Sequence, residues 1–314
     1  MRLTLTVLLI FVGNVLVYAQ SANTGFSMLN NAPTPSALSL NEAGTANYSG
    51  SGSLYQNPAL LINGNTSTLD FAYSSWMQDT KYIFGGANFI QGKRAFSIGI
   101  YNSKIDGFEQ RNNPGDSHGD FSISYLSIAG GFAYNFDLLS VGVSGQFLNE
   151  ENFLYQASGY AFNFGIASDF FDSRLKTGIS LLNIGTMDNL NYEPTQLPEQ
   201  FRAGFSVDVF RFSPPKNSNL PILVSTSLDY VNPLHSDSNS QIGTIETEPF
   251  VNVGLRFNIA EVVELSTGYK SGETTKPWAF GVGFITDLIN VNYAIIPYET
   301  GFGTLHSIGL QYKF

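Results

Sequence analysis

Residues 304–314, at the end of the chain, read TLHSIGLQYKF. The large side chains of this stretch are His306, Ile308, Leu310, Tyr312 and Phe314, and a small or polar residue separates each from the next. A period of two places all the large side chains on one face of an extended backbone, which is typical of a β-strand with one apolar face. The stretch therefore predicts a strand, and the same alternation returns along most of the chain.

Alternating segments recur often enough to predict fourteen strands in an all-β protein. The predicted strands are residues 67–76, 81–90, 94–101, 121–136, 138–149, 155–167, 175–184, 200–210, 221–230, 248–257, 262–270, 278–285, 288–296 and 304–314.

The fourth predicted strand departs from a simple alternation. Its apolar residues fall at odd positions from Phe121 to Tyr125 and at even positions from Leu126 onward. An extra residue in one strand shifts the side-chain parity in this way. We therefore expect a β-bulge near Tyr125 or at the Gly130-Gly131 pair.

The composition excludes several classes of protein. Charged residues make up 13% of the 314 residues, about half the usual share of a soluble domain, and aromatic residues make up 14%. Disordered chains show the opposite balance. The formal net charge of -10 argues against a nucleic-acid partner. The absence of cysteine excludes disulfides and thiolate metal sites.

The first nineteen residues, MRLTLTVLLIFVGNVLVYA, are typical of a targeting segment. A single cation, Arg2, precedes an apolar run, and the small residues Val17 and Ala19 precede the expected cut. We predict a signal peptide over residues 1–19. The alternative is an N-terminal membrane helix, for which the apolar run is short. Residues 20–65 are rich in Ser, Asn, Gly, Ala and Pro, and we predict that they form a plug segment ahead of a barrel over residues 66–314.

The connections between the strands favour a transmembrane antiparallel barrel. The long polar connections, 102–120, 185–199 and 231–247, follow strands three, seven and nine, so all three lie at one end of the sheet. Long outer loops, short periplasmic turns and an even strand count are typical of outer-membrane barrels, and such barrels often end on an aromatic residue such as Phe314. The alternative is a secreted β-sandwich with an aromatic core. The aromatic residues expected in interfacial girdles are Trp76, Tyr101, Tyr155, Tyr230, Trp278 and Tyr298.

Several blocks of sequence resemble the PorV/PorQ family of Bacteroidetes-type bacteria, which belongs to the wider FadL-like barrel group. They occur in the family's order at residues 25–44, 54–61 (LYQNPALL), 158–165 (SGYAFNFG), 180–185 (SLLNIG), 291–298 (VNYAIIPY) and 303–310 (GTLHSIGL). Residues 35–44 lack the arginine and the second glycine of the family's stretch, and Ser307 replaces another arginine.

The resemblance implies a bacterial outer-membrane barrel of fourteen strands with its N-terminal segment folded into the lumen. Proteins of the PorV/PorQ type act in type IX protein secretion and in cell-surface attachment, by binding partner proteins of the translocon or of the attachment complex. FadL relatives instead pass hydrophobic small molecules into the cell. Membrane lipid, protein partners and a hydrophobic ligand are thus the expected partners, and both functions stay open at this point.

Two sets of residues are candidates for a site in the lumen. Asn57-Pro58 is the distinctive element of the plug, and we interpret it as structural, because proline biases the preceding residue away from helix and asparagine bonds to the backbone in turns. Asp208, Asp229, Arg256 and Glu264 fall on the inner face of four consecutive strands. We expect these charges to form one lumen network by pairing with each other or with the plug, because an unpaired buried charge is costly.

The residue inventory does not favour an enzyme. Of the three histidines, His118 and His235 fall in long polar loops, and His306 alternates with the inner-facing Ser307 and is expected at the membrane interface. No Gly-x-Ser-x-Gly nucleophile elbow occurs. We therefore predict no catalytic residue, no cofactor and no metal site.

Overall fold

The computed structural model describes residues 26–76, 79–109, 119–190, 193–194, 196–212, 221–234, 249–301 and 303–314. The predicted signal peptide, His118 and His235 lie outside the described residues. Within the described part of the chain, fourteen strands form one closed barrel in which every strand pairs antiparallel with its neighbours. The first and last strands pair with each other over Thr68–Lys313 to Ser75–His306 and close the wall. The predicted fourteen-stranded antiparallel barrel is confirmed.

The strands are β1 (Thr68–Ser75), β2 (Lys81–Gln91), β3 (Arg94–Glu109), β4 (Asp120–Asn135), β5 (Ser140–Asn152), β6 (Tyr155–Phe170), β7 (Leu175–Met187), β8 (Asn189–Leu190), β9 (Glu193–Pro194), β10 (Gln200–Phe212), β11 (Ile222–Pro233), β12 (Phe250–Ile259), β13 (Val263–Lys270), β14 (Trp278–Ile285), β15 (Ile289–Pro297) and β16 (Thr304–Lys313). The two-residue strands β8 and β9 form a separate hairpin between β7 and β10, and the other fourteen form the barrel.

The outer face of the barrel is apolar. Ile98, Phe71 and Ile83 are 62%, 58% and 55% exposed, although large apolar side chains are usually buried in soluble proteins. Inward-facing positions carry small or polar residues such as Ser97, Asn163 and Gly165. A barrel with an apolar exterior and a small, polar interior meets lipid on the outside, so the secreted sandwich is excluded. The chain is a transmembrane barrel of the bacterial outer-membrane type.

The strands differ in length around the barrel. β3, β4 and β6 have sixteen residues each, whereas β13 and β14 have eight. The periplasmic ends are joined by short turns, so the extra residues project at the outer end. At about 3.3 Å per residue, eight residues add roughly 26 Å of strand. We call the projecting part of β3 to β6 the tall wall, and the lumen opening beside it the outer mouth.

The predicted bulge in the fourth strand is wrong. β4 pairs with β5 without a register shift from Ile123 to Asn135, and the irregularity lies in β3, between Ile105 and Phe108. Alternation along β4 is continuous, so its residues at odd positions, including Tyr125, face inward throughout. The change in apolar parity therefore reflects a change of environment: apolar side chains of β4 face lipid in the membrane and face the outer mouth above it.

The girdle prediction is wrong for Tyr101, and it is also wrong for Trp76 and Tyr298, whose rings stack on each other at 4.4 Å and pack against the buried core. Ile98 and Ile100 on the strand of Tyr101 face the lipid, and strict alternation turns Tyr101 into the lumen, where it is 2% exposed. Trp278 and Tyr230 are 47% and 42% exposed on the outside, near strand ends, where an aromatic girdle belongs, whereas Tyr155 has the inward parity of Ala157 and Asn163 on β6.

Residues 26–65, here called the N-terminal segment, pack against the inner face of the barrel. Phe26 is fully buried near the outer mouth, against Tyr125 of β4, and the segment ends close to the periplasmic start of β1. Its short helices are Ser27–Asn30, Pro35–Leu38, Gly52–Tyr55 and Pro58–Ile62. No helix in the described ranges is long and apolar enough to cross a membrane.

Candidate functional site

Asn57 and Pro58 attach the N-terminal segment to the wall. Pro58 opens a one-turn helix, and the Asn57 side chain caps that helix by accepting a hydrogen bond from the Ala59 amide at 3.1 Å. Asparagine is a favoured cap, and proline fits the first helical position because its missing N–H would lack a partner there. The Nδ2 of Asn57 also donates to the carbonyl oxygens of Thr45 at 2.7 Å and Ile166 at 3.2 Å. One buried amide thus joins two parts of the segment to β6.

Three inward-facing glycines receive this anchor, and we call them the glycine cradle: Gly142 on β5, Gly165 on β6 and Gly178 on β7. Cβ atoms added at these positions would lie 2.3 Å from Pro58, 2.0 Å from Asn57 and 2.0 Å from Thr45, respectively. Such distances are far shorter than any van der Waals contact, so only glycine allows the segment to approach the strands this closely.

An uncharged amide network lies beside the cradle. The Gln146 side chain donates to the Asn183 side-chain oxygen at 3.3 Å, and the backbone N–H of Asn183 donates to the Asn163 side-chain oxygen at 2.7 Å. Asn163 in turn donates to the Leu54 carbonyl of the N-terminal segment at 2.9 Å. Asn183 has a φ of 60° at the register shift between β6 and β7. The sequence prediction followed charges and missed this network; its signal was an asparagine inside the apolar stretch of residues 180–185.

Asp229 holds the middle of the N-terminal segment. Its Oδ2 accepts hydrogen bonds from the Thr45 amide at 2.8 Å and the Thr45 hydroxyl at 2.6 Å. Arg202 lies 3.9 Å from the same oxygen and donates to the Glu42 carbonyl at 2.7 Å. The Asp229 carboxylate is fully buried, so these partners stabilise a charge that would otherwise be costly.

Asp70 repeats the arrangement on the other side of the lumen. Its Oδ2 accepts from the Ser51 amide at 2.8 Å and the Ser51 hydroxyl at 2.7 Å, and its Oδ1 accepts from Gln311 at 2.7 Å. Two aspartates on β1 and β11 therefore bind two residues of one short stretch, Thr45 and Ser51.

The other predicted lumen charges lie lower in the barrel. Arg256 and Glu264 form an ion pair at 3.2 Å, and Asp208 accepts a hydrogen bond from Ser225, which is the direct neighbour of Arg256. Asp229 lies four residues further along β11 than Ser225. The structure thus brings Arg256 and Glu264 together, sets Asp208 beside them and places Asp229 apart, against the segment.

A polar cavity lies between this lower group and the N-terminal segment. Its volume is about 160 Å³, and Arg256, Glu264, Asn290, Asn292 and Gln311 contribute to its wall. Polar walls and room for several molecules indicate a water-filled cavity. The polar side chains on this side of the lumen favour water as its occupant.

Aromatic side chains occupy the opposite side of the outer mouth. The rings of Phe108 and Phe121 stack on the tall wall with their centroids 5.1 Å apart, and the Phe121 and Phe153 ring centroids are 4.8 Å apart. Tyr125 lies two positions further along the inner face of β4 than Ile123 and packs edge-on against Phe26 at 5.2 Å. An apolar surface thus faces the axis of the mouth above the membrane.

The apolar surface continues into the lumen. The ring of Tyr101 packs against three other rings, with distances between ring centroids of 6.3 Å to Tyr82, 6.2 Å to Phe84 and 5.7 Å to Tyr55. Tyr55 belongs to the N-terminal segment, whereas the other rings belong to β2 and β3. Together with the outer-mouth rings they form what we call the aromatic column: Phe26, Tyr55, Tyr82, Phe84, Tyr101, Phe108, Phe121, Tyr125 and Phe153.

The outer mouth also carries charges on the side of β13 and β14. Lys276 donates to Asn31 at 3.0 Å, and Asn41 donates to the Pro277 carbonyl at 2.8 Å, so this loop binds the N-terminal segment. Burial alone would raise the pKa of Glu273, but hydrogen bonds from the Thr275 hydroxyl and amide hold that pKa below its usual value. Burial likewise opposes the charge of Lys276, but Tyr298 and the nearby carboxylates hold its pKa above the usual value.

An apolar depression of about 350 Å³ opens on the lipid side of β6, β7 and β10, beside Leu139. Ile166, Ile179 and Phe205 form its rim, and Gly178 contributes to its wall. Because Gly178 has no side chain, only backbone separates this depression from Thr45 of the N-terminal segment.

The histidine that the structure describes lies on the outside. His306 is exposed, and its Nδ1 is 2.6 Å from the Tyr293 hydroxyl. No group of three or more histidine or acidic side chains in the described ranges is arranged to hold a metal ion.

The comparisons with known proteins support the fold. No protein-family model and no curated protein matches the chain. One crystal structure of the Pseudomonas putida toluene transporter TodX aligns with a TM-score of 0.56 and 12% identity over 94% of this chain and 98% of that one. A second TodX structure aligns with a TM-score of 0.52 and 12% identity over 88% of this chain and 98% of that one. A deltaS2 mutant of the TodX monoaromatic hydrocarbon channel aligns with a TM-score of 0.51 and 11% identity over 85% of this chain and 95% of that one. At this identity the likeness concerns the fold alone: the chain is a closed β-barrel of the bacterial outer-membrane type, similar in fold to TodX.

Proposed function

We propose that the protein takes up a small hydrophobic molecule at the outer mouth and passes it through the barrel, as a FadL-like channel. The observation that carries this proposal is the aromatic column. Its upper rings face the mouth above the membrane, and its lower rings line the contact between the N-terminal segment and β2 to β3. The upper rings offer apolar surface to a ligand at the mouth, whereas Phe26, Phe84 and Tyr101 are at most 2% exposed, so passage along the lower rings requires the N-terminal segment to move.

The distribution of polarity around the lumen supports the same proposal. The polar cavity lies on the side of β12 to β16, and the aromatic column lies on the side of β2 to β5. At the outer mouth the charged groups Lys276 and Glu273 lie on the side of β13 and β14, whereas the tall wall presents Phe108, Phe121 and Phe153. The depression at Ile166, Ile179 and Phe205 adds apolar volume on the lipid side. TodX, the structural neighbour, is described as a toluene transporter.

Binding of the fluorescent apolar probe N-phenyl-1-naphthylamine to the purified barrel tests the proposal. The F108S/F121S variant should raise the Kd about thirtyfold or more, since each of the two apolar rings contributes roughly 1–2 kcal/mol of buried contact. The matched control is Phe284→Ser, which removes an exposed ring from the lipid face far from the mouth. Equal probe affinity in all three proteins would overturn the proposal.

A second candidate is the partner-binding role of the PorV/PorQ type in type IX secretion or surface attachment. The observation in its favour is the close packing at the glycine cradle, where backbone and side chains of the N-terminal segment touch the wall directly. A lumen filled in this way leaves no path beside β5 to β7, and the tall wall would then serve as a binding surface for a partner protein. The ordered sequence blocks at residues 54–61 and 180–185 contribute to this interpretation.

Affinity purification from solubilised outer membranes separates the two candidates. A secretion component that co-purifies with the wild-type chain, and is lost when the tall wall is altered at Phe108 and Phe121, supports partner binding. Recovery of a hydrophobic small molecule without any secretion component supports the channel.

A further inference from the structure

Two lysines lie side by side on the outer face of the barrel. Lys81 of β2 and Lys104 of β3 are direct cross-strand partners, and both side chains are about half exposed. Like charges placed directly opposite each other on a sheet are destabilising. The chain has 25 acidic and 15 basic residues, so an excess of cations does not force such a pair on it. The placement therefore indicates an anion on this face.

Part of the required negative charge comes from the chain itself. Asp106 lies between the two ammonium groups, with Oδ1 2.8 Å from Lys104 and Oδ2 3.8 Å from Lys81. The hydrogen bond from Lys104 holds the pKa of Asp106 below its usual value, so the carboxylate is charged at neutral pH. Two lysines and one aspartate leave one positive charge. Asp106 contacts both amines and offsets one of their two charges.

The height of the pair in the membrane limits what the anion can be. Lys81 is ten residues from the periplasmic end of β2 at Gln91, and Lys104 is ten residues from the periplasmic start of β3 at Arg94. Ten residues at about 3.3 Å each, in strands tilted by roughly 40°, rise about 25 Å. The apolar band of an outer-membrane barrel is also about 25 Å tall. The lysines therefore lie where the headgroups of the outer leaflet begin.

The neighbouring strands contribute further polar groups at this level. In the register of the sheet, the pair is flanked by Ser75 of β1 and Ser124 of β4. His306 lies next to Ser75 on β16 and is bonded to Tyr293, and Glu151 lies beyond Ser124 on β5. Directly below Lys81 on the same face, Ile83 is 55% exposed to lipid. The surface thus combines an apolar lower part with two cations and hydroxyl donors above it, and the Glu151 carboxylate lies two strands away from Lys104.

We infer that Lys81 and Lys104 bind the phosphorylated headgroup of an outer-leaflet lipid, whose acyl chains lie against the apolar strands below. Phosphate accepts several charge-assisted hydrogen bonds, and two ammonium groups with flanking hydroxyls provide the donors. Among the described cations, the remainder lie in the lumen, at the inward side of the outer mouth or near the periplasmic turns, so this pair is placed where no other described cation would substitute for it.

Native mass spectrometry of the intact barrel tests the inference. The protein is purified from vesicles of phosphatidylcholine with a tenth part of a bis-phosphorylated glycolipid, and in parallel with the dephosphorylated form of that glycolipid. Wild type should retain the phosphorylated form, and K81Q/K104Q should lower the retained fraction about tenfold. The matched control K93Q/K313Q removes the same charge near the periplasmic end and should change nothing.

The Asp106→Asn variant separates lipid binding from a purely structural cluster. Because the carboxylate competes with phosphate for both lysines, its removal should strengthen retention of the phosphorylated lipid. A structural role alone predicts unchanged or weaker retention in D106N. Equal retention of phosphorylated and dephosphorylated lipid, equal losses in both double variants, or binding of inorganic phosphate without retention of the glycolipid would overturn the inference.

Discussion

At the scale of single residues, Asn57 combines three roles in one side chain. Its Oδ1 caps a helix, and its Nδ2 binds one carbonyl of the N-terminal segment and one of β6. Replacing it with alanine removes all three hydrogen bonds and leaves two buried carbonyls without this donor. We expect Asn57→Ala to lower the free energy of unfolding by about 2–4 kcal/mol. Urea denaturation of the barrel in lipid vesicles, followed by tryptophan fluorescence, measures the change.

The matched control for this prediction is Asn189→Ala. Asn189 is exposed in the β8–β9 hairpin, where an alanine removes no buried hydrogen bond. The free energy of unfolding of this variant should stay within about 0.5 kcal/mol of the wild-type value. A loss at Asn57 no larger than that at Asn189 would contradict the anchor.

Asp229 and Thr45 form a pair whose energy a double-mutant cycle measures. The Asp229 carboxylate accepts two hydrogen bonds from Thr45, one from the amide and one from the hydroxyl. Only the hydroxyl bond is removed in Thr45→Val, and both are weakened in Asp229→Asn. We expect a coupling energy of about 1–3 kcal/mol between T45V and D229N, because hydrogen bonds to a buried charge are the stronger ones.

A cycle between Asp229→Asn and Ser51→Ala serves as the reference for that measurement. Ser51 binds Asp70 and not Asp229, so the two substitutions should add. A coupling energy near zero for Thr45 with Asp229 would show that this contact does not hold the segment.

At the scale of elements, the glycine cradle determines how closely the N-terminal segment packs against the strands. A Cβ atom at Gly165 would lie 2.0 Å from the Asn57 side chain, so Gly165→Ala should displace the N-terminal segment from β6. Overpacking of this kind typically costs about 1–3 kcal/mol. Gly145 on β5 provides the control, because a Cβ there would meet the Phe162 ring at an ordinary 3.4 Å.

Proteolysis by trypsin from the outside of intact vesicles, together with urea denaturation, distinguishes the two glycine variants. G165A should unfold at lower urea concentration than wild type, and G145A should unfold close to it. Equal midpoints for both variants would mean that the segment adapts to the added methyl group.

Much of the barrel could be predicted from the sequence, because strand alternation is a local signal and each strand carries it independently. Which face is apolar depends on what surrounds the strand, and this explains two of the errors. Ile98 and Ile100 face the lipid, and side chains alternate along the strand, so the ring of Tyr101 faces the lumen. The parity change at Tyr125 marked the upper limit of the membrane, although it looked like an inserted residue.

The contacts of the N-terminal segment could not be predicted from the sequence pattern, because they join residues far apart in the chain. The bond between Asn57 and Ile166 joins residues 109 positions apart, and that between Thr45 and Asp229 joins residues 184 positions apart. Strand register and barrel closure together bring such partners close, and neither is visible in one segment alone. The lumen charges could be assigned to the inner face by parity, but their height, which separates Asp229 from Arg256, required the register.

At the scale of the whole molecule, the lumen has two unlike sides. The aromatic column joins the N-terminal segment to β2 and β3, and the polar cavity separates the segment from the wall near Arg256 and Glu264. The aspartates Asp70 and Asp229 hold the segment between these sides. A molecule that crosses the barrel must therefore displace either apolar contacts or water, and its own polarity selects the side.

Removal of the N-terminal segment is the sharpest prediction at this scale. A variant lacking residues 26–63 keeps every barrel strand and leaves an inner face lined by glycine, serine and asparagine. We expect its conductance in planar bilayers to exceed that of the full chain about tenfold or more, because an empty barrel of this strand number leaves room for water. Circular dichroism and heat-modifiable gel mobility establish that the shortened barrel has folded. If the full chain conducts as well as the shortened one, the segment does not close the lumen and the cavity beside Arg256 and Glu264 is part of an open path.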